Sequence, residues 1–349
     1  KKNQRMQLEC EEKIYSNLCY HNMPRKIIYI INLISEKKKK KDLQQLIEKK
    51  TKEQNISFQI FPSVASGDYG FLHPIIKQEK ITDVVIAGGD GTVSQVVSSL
   101  INCEVNFGII PCGSGNGLAF AAKIPKQPAK ALAVIFNGNP IATDAFYINN
   151  IFACMLCGLG FDAKVAHDFA EQSKRGLVTY VKQVVKNFFS ASSNDFAQQP
   201  KRGLTTYIKE VIKNFFSAKT YSFDLTINSN TFSIDAFFIS IANSNQFGNN
   251  FTIAPKASLS DGLLDIIIVT KQSKLSLVLQ TLKQITGNNK LQSEAIEEKK
   301  KGIIYLQTDK LTILNKSEAP LHIDGDPAET PTSIEVIVKE KCFRLYQPE

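Results

Sequence analysis

The sequence predicts an α/β domain followed by an all-β domain, and three observations carry that reading. From residue 26 to 139, short β-branched apolar runs alternate with amphipathic helical patterns, which implies a parallel sheet with helices on both faces. After Pro140 the helical period gives way to short strands separated by Asn, Ser, Asp and Gly turns, the pattern of an antiparallel β-sandwich. Within the first half, two glycine-rich loops each follow a strand and precede a helix, as ligand-binding loops do at the carboxyl edge of a parallel sheet. The expected organisation is an N-terminal extension over 1–24, an α/β domain over 25–139 and a sandwich over 140–349, divided where Asn, Gly, Asn and Pro cluster at 137–140.

In order, KIIYIIN at 26–32 reads as a buried strand, DLQQLIEKK as a helix, ISFQIF as a strand, and 71–78 as a helix. TDVVIAG is a strand, 92–101 a helix, FGIIP a strand, and 117–122 and 129–136 are helices. The sandwich strands are ATDAFYIN, NIFACML, YSFDLTIN, TFSIDAFFISIAN, GLLDIIIVT, GIIYLQT, KLTILN, PLHID and SIEVIVKE. One segment interrupts them: DFAEQSKRGLVTYVKQVVKNFFSA at 168–191 recurs at 195–218 with 18 of 24 positions identical. Two copies are too few for a solenoid, so this reads as a tandem duplication of one amphipathic helix. A sandwich offers one groove for it. The second copy is expected to fill that groove, and the first to be extra, folding back or docking on another chain in a homodimer.

Composition narrows the function classes. Seven scattered cysteines in 349 residues exclude a disulfide scaffold and predict a reducing, cytoplasmic setting. No apolar run approaches the ~18 residues of a spanning helix, and residues 1–24 carry charges throughout instead of an apolar signal core. The formal net charge is +9, and residues 1–60 hold 14 basic against 7 acidic side chains. That local field attracts any polyanion. The lysines at 37–41 read either as a solvated loop or as a surface for an anionic membrane. No run of stacking aromatics accompanies them, so nucleic acid is not an expected partner.

The chemistry concentrates in a few places. In Gly88-Gly89-Asp90-Gly91-Thr92, glycines at a helix start let main-chain amides approach a phosphate. An aspartate among phosphates makes sense through a cation, so Asp90 is a candidate partner of Mg²⁺ or its water; the plainer reading is a helix cap. The second loop, Cys112-Gly113-Ser114-Gly115-Asn116-Gly117, follows the next strand, so the two loops together predict one continuous cradle. Neither loop fits a dinucleotide or Walker-type fingerprint. Near the C-terminus, Asp324 and Asp326 flank a glycine in HIDGDP. A carboxylate there suits general-base activation of a hydroxyl, and two acids so close can share a cation, although taken in isolation a DG turn with solvated acids is the plainer reading. Asp261 before Gly262 has the same turn reading. Cys154 and Cys157, three apart on a strand, are expected to pack on opposite faces without binding metal.

GGDGT followed by PCGSGNGLA, then CGLGFDAKV, KRGLVTYVKQVVK, NSNQFGNNFTIAPKASLSDGLLDIIIV and HIDGDP, together resemble the diacylglycerol kinase catalytic domain family, which includes bacterial lipid kinases and sphingosine kinases. The resemblance spans residues 26 to 346. It implies a nucleotide-binding α/β domain, a β-sandwich, ATP and Mg²⁺ in the cleft, and phosphoryl transfer to a lipid hydroxyl at a membrane surface. Carried onto this chain, it implies that Gly88, Gly89, Asp90, Gly91 and Thr92 hold ATP phosphates and the metal network, that Asn32 sits at the end of the first strand near the nucleotide, and that Ser63 stands, as a weak match, where a phosphate-side threonine is common. Gly113, Ser114, Gly115 and Asn116 would then close the nucleotide site. It also implies Asp324 as general base, Asp326 as metal-linked acid, and Asp261 at a structural cation site. The sequence departs from the family at 32–36, where NLISE replaces NPxxG, and at Asp326, where glutamate is usual. NAD kinase, whose family also carries GGDG, is the enzymatic alternative, and a catalytically weakened nucleotide- or membrane-binding homologue the non-enzymatic one.

Overall fold

The computed structural model describes residues 24–32, 37–113, 115–161, 163–164, 219–245, 254, 256–270 and 302–348. The N-terminal extension, both helix copies, the departing loop at 33–36 and Ser114 lie outside these residues.

The first half is the expected alternation: β1 (Lys26–Ile31), α1 (Lys37–Glu53), β2 (Ser57–Pro62), α2 (Leu72–Glu79), β3 (Asp83–Gly88), α3 (Asp90–Leu100), β4 (Asn106–Pro111), α4 (Gly117–Ala121) and α5 (Pro128–Asn137). The strands run parallel in the order β4-β3-β1-β2. The β1 and β3 side chains are almost wholly buried, which is why both read as unbroken apolar runs. The loop reading of the lysine run is corrected, because these residues open α1. Lysine is a good helix former, and nothing in 37–41 breaks the helix, whose Leu43, Ile47 and Thr51 share a buried face at a spacing of four.

The second half comprises β5 (Asn139–Ile148), β6 (Ile151–Ala153), β7 (Leu156–Gly160), β8 (Tyr221–Ile227), β9 (Asn230–Ala242), β10 (Leu264–Thr270), β11 (Ile303–Thr308), β12 (Lys310–Asn315), β13 (Leu321–Ile323), β14 (Asp326–Ala328) and β15 (Ser333–Gln347). Pairing among them is antiparallel throughout, and their inner faces enclose an apolar core of Phe146, Phe223, Leu225, Ile239, Ile241, Ile266, Ile268 and Ile313. Cys154 and Cys157 are buried free thiols, as packing predicts.

The β15 strand extends well past the expected SIEVIVKE. Its first half pairs with β12, its length pairs with β5, and its end runs parallel to β4 through Arg344 and Leu345. The C-terminal strand therefore joins the sandwich to the parallel sheet. It is anchored at the amino edge of that sheet: buried Asp83 accepts hydrogen bonds from the Tyr346 hydroxyl at 2.6 Å and Arg25 Nε at 3.0 Å. The Arg25 guanidinium also lies 5.0 Å from the Tyr346 ring centroid. This clasp leaves the carboxyl edge, at the far ends of the same strands, open for the loops that follow.

Candidate active site

The two glycine loops meet at that carboxyl edge. A Cβ placed on Gly113 would lie 2.4 Å from the Gly89 Cα, and one on Gly89 would lie 3.0 Å from the Gly113 Cα. Only glycines allow this approach, so the predicted single cradle is a backbone-to-backbone contact. Cys112 N–H donates to the Gly88 carbonyl at 2.9 Å, extending the β3–β4 ladder into the loops. Asn116, in the left-handed region at φ 54, folds its side chain back to exchange two hydrogen bonds with the Gly113 main chain, at 2.8 and 2.7 Å. Gly115 lies beside it in the same loop.

Asn32, at the end of β1, donates through Nδ2 to Thr92 Oγ1 at 2.5 Å. A Cβ on Gly88 would meet Thr92 Cβ at 2.9 Å, so Thr92 packs over that glycine. Ser63 follows β2 at the same edge and donates its main-chain N–H to the Ile31 carbonyl at 3.1 Å. Asn32, Ser63, Gly88 to Thr92 and the described members of the second loop thus converge on one sheet edge.

Asp90 is the first residue of α3, whose N-cap is Gly89, so it does not cap its own helix. Its carboxylate instead faces the N–H groups of Asn116, Gly117 and Leu118 at the start of α4, which favour ionisation. Burial, and after it the charge of Asp324, outweigh them and push its pKa up to about 6.

Asp324 reaches this edge from the sandwich. It sits at φ 49 in the turn between β13 and β14, a conformation that aspartate tolerates better than most residues. Oδ2 accepts from the Ser94 hydroxyl at 2.7 Å and from Cys154 N–H at 3.0 Å, while Oδ1 accepts from the N–H groups of Met155 at 3.0 Å and Leu156 at 3.1 Å. The Cys154 thiol approaches Oδ2 at 3.8 Å. Burial raises the pKa of Asp324 although all four hydrogen bonds oppose it.

Asp326 pairs with Ile323 in the β13–β14 ladder, but its side chain makes no hydrogen bond among the described residues, and the residue is exposed. Its Oδ2 would lie 3.2 Å from a Cβ on Gly91, so the carboxylate stands over the first turn of α3. Where it stands over α3 the carboxylate is partly desolvated, which raises its pKa, and nearby His322 opposes the shift.

The paired-carboxylate expectation therefore divides. Both acids of HIDGDP face α3, but the Asp324 carboxylate is occupied by protein donors while that of Asp326 is open. Among the described residues no three His, Cys, Asp or Glu side chains cluster for a metal. A magnesium ion needs no such cluster when nucleotide phosphates complete its shell, and Asp326 is the acid available for that arrangement. Asp261 stands apart, exposed, with Oδ1 accepting the Leu263 N–H at 3.2 Å in a local turn. Its loop is held by buried Asp144, which accepts from Gly262 N–H at 2.8 Å and Lys341 N–H at 2.6 Å.

Sequence reading missed Ser94 and Asp144. Ser94 carried a signal, since it lies four residues after Asp90 and shares its helix face. Asp144 sits in an ordinary strand pattern and carried none.

Two family models match the chain: the diacylglycerol kinase catalytic domain over residues 26–148, and the YegS C-terminal NAD kinase beta sandwich-like domain over residues 181–341. The chain thus matches the diacylglycerol kinase catalytic domain and the YegS-like bacterial lipid kinases, in line with the resemblance of its motifs. It is 26% identical over 255 residues to the "Probable lipid kinase YegS" of Shigella flexneri, covering 71% of this chain and 72% of that protein. It is also 26% identical over 271 residues to an uncharacterized protein of Synechocystis sp., covering 76% of this chain. The aligned part spans 54% of that cyanobacterial relative. A crystal structure of a diacylglycerol kinase from Bacillus anthracis superposes with a TM-score of 0.64 over 93% of this chain and 97% of that one. At 15% identity this last likeness is one of fold.

Proposed function

We propose that this chain is an ATP-dependent lipid kinase that transfers the γ-phosphoryl group to a lipid hydroxyl. The observation that carries the reading is the meeting of two parts: the acid turn of the sandwich stands on α3, the helix that opens from the first glycine loop, with Ser94 and Asp324 joined at 2.7 Å. Donors for phosphate and acids for an acceptor hydroxyl thus share one cleft, as phosphoryl transfer requires.

In this reading the amides of Gly88, Gly89, Gly91, Gly113, Ser114 and Gly115 cradle the nucleotide phosphates, and Asn32, Ser63, Thr92 and Asn116 fix the loops that present them. Asp90 keeps α4 in place beneath the second loop. Asp324 is the base that finally takes the acceptor's proton, and its raised pKa makes it a stronger base than an exposed carboxylate. Bound Mg²⁺ would be held by Asp326 and the phosphates, where it neutralises phosphate charge. Asp261 would serve a separate structural cation.

No helix among the described residues is long and apolar enough to cross a membrane. In this reading the lipid acceptor is met at a membrane surface from the cytoplasm, with the lysine run at the start of α1 drawn to anionic headgroups. The test is incubation of the purified chain with ATP, Mg²⁺ and a lipid extract, followed by mass spectrometry of the lipids, with NAD as a parallel acceptor. A phosphorylated lipid and unchanged NAD is the expected outcome. Phosphorylated NAD, or no product with ATP bound, would reject it.

A further inference from the structure

Ordinarily a general base keeps a lone pair facing its substrate, and Asp324 does not. A carboxylate offers about four acceptor positions, and four donors within 3.1 Å occupy those of Asp324. Three donors are the main-chain N–H groups of the consecutive residues Cys154, Met155 and Leu156. They sit where the chain passes from β6 into β7, so none can leave without unpairing that connection. The fourth is the Ser94 hydroxyl, which belongs to a side chain of another element, is also within reach of the Cys154 thiol, and can both donate and accept. Ser94 is half-buried and lies one turn after Asp90 on α3, the helix that opens from the first glycine loop.

We propose that Ser94 is a catalytic proton relay, taking the proton of the acceptor hydroxyl as its own proton passes to Asp324. This rests on the lipid kinase reading above and assigns that site a further residue. In the step, the acceptor oxygen bonds to the γ-phosphorus of ATP while the bond from that phosphorus to the β–γ bridging oxygen breaks and ADP leaves. The acceptor O–H bond breaks as a new O–H bond forms at Ser94 Oγ, and the original Ser94 O–H bond breaks as one forms at Asp324 Oδ2. Ser94 ends with one proton, as it began, and Asp324 later returns its proton to solvent. The relay explains why a saturated carboxylate still serves as a base: its one replaceable donor is also a conduit.

Direct transfer and relay predict opposite results for one variant. Ser94→Ala vacates a position on Oδ2, which helps a base acting directly and disables a relay. The measurement is steady-state transfer from radiolabelled ATP to lipid-extract vesicles by wild type, Ser94→Ala and Ser94→Thr, with KM for ATP and Tm measured for each. The relay predicts that Ser94→Ala loses about 10²- to 10⁴-fold in kcat, the usual weight of general acid–base catalysis. KM for ATP and Tm stay near wild type, and Ser94→Thr, which keeps the hydroxyl, recovers most of the rate. Turnover by Ser94→Ala at or above wild type would overturn the relay and leave Asp324 acting directly. Equal losses in both variants, or a loss that follows Tm, would overturn it by reducing Ser94 to packing. Absence of transfer by wild type with ATP bound would instead reject the kinase reading itself, and the relay with it.

Discussion

Asp324 and Asp326 stand two residues apart on one tight turn and are treated in opposite ways. Asp324 turns inward and is held by three main-chain amides and a hydroxyl from another part of the chain. Asp326 turns its side chain outward over Gly91, where it makes no hydrogen bond among the described residues. A turn side chain that accepts four hydrogen bonds is part of the architecture whatever else it does, because each donor left unpaired on its removal costs about 1–3 kcal/mol. An acid with no protein partner contributes little to folding, and its charge remains available to a ligand. The contrast separates a carboxylate held by protein donors from one left open to a ligand.

The largest effect should follow Asp324→Ala, which orphans four donors at the junction of sandwich and α3. We expect loss of transfer together with a marked fall in Tm, read by calorimetry beside the transfer assay. An active, stable variant would erase the distinction between the two acids. A comparable loss of activity by another route should follow Gly113→Ala, whose Cβ is blocked by the Gly89 Cα at 2.4 Å. Parting the loops should abolish ATP binding in calorimetric titration while the sandwich keeps its fold. Normal affinity would show that the loops do not cradle the nucleotide.

Much of this was legible in advance, and the rest was hidden for identifiable reasons. The parallel sheet showed itself because β1 and β3 are buried on both faces, and the cradle because glycines repeat at two successive strand ends. The inward turn of Asp324 was invisible because its partners, Ser94 and residues 154–156, lie about 170 to 230 positions away. No local pattern records such a meeting. The lysine run misled for the converse reason: its charge was obvious, whereas the apolar face that makes it a helix begins only at Leu43. The reach of β15 was hidden because its second half, beyond a positive-φ break at Lys341, no longer alternates cleanly.

Smaller effects sharpen the comparison from the open side. Asp326→Asn removes no protein hydrogen bond, so Tm should stay near wild type while the Mg²⁺ concentration needed for half-maximal transfer rises. A clear loss of Tm would make Asp326 a second structural acid. The smallest effect concerns pH. Asp265 is wholly buried on β10 with Oδ2 unpartnered among the described residues, and burial pushes its pKa up to about 7. Between about pH 4 and pH 7 the folded chain keeps a proton that the unfolded chain has lost, so this group lowers stability as pH rises through that window. Asp265→Asn should therefore flatten the fall in Tm between pH 5 and pH 7.5, and an unchanged slope would show that its carboxyl ionises normally.

The central claim is that the acid turn of the sandwich and the glycine cradle form one phosphoryl-transfer site. Its most direct measurement compares wild type with Asp324→Asn, which keeps the size of the side chain, for both ATP binding and transfer of radiolabelled phosphate to lipid. The account predicts labelled lipid from wild type, at least about 10²-fold less from the variant, and bound ATP in both. Labelled lipid at the same rate from both proteins would contradict it.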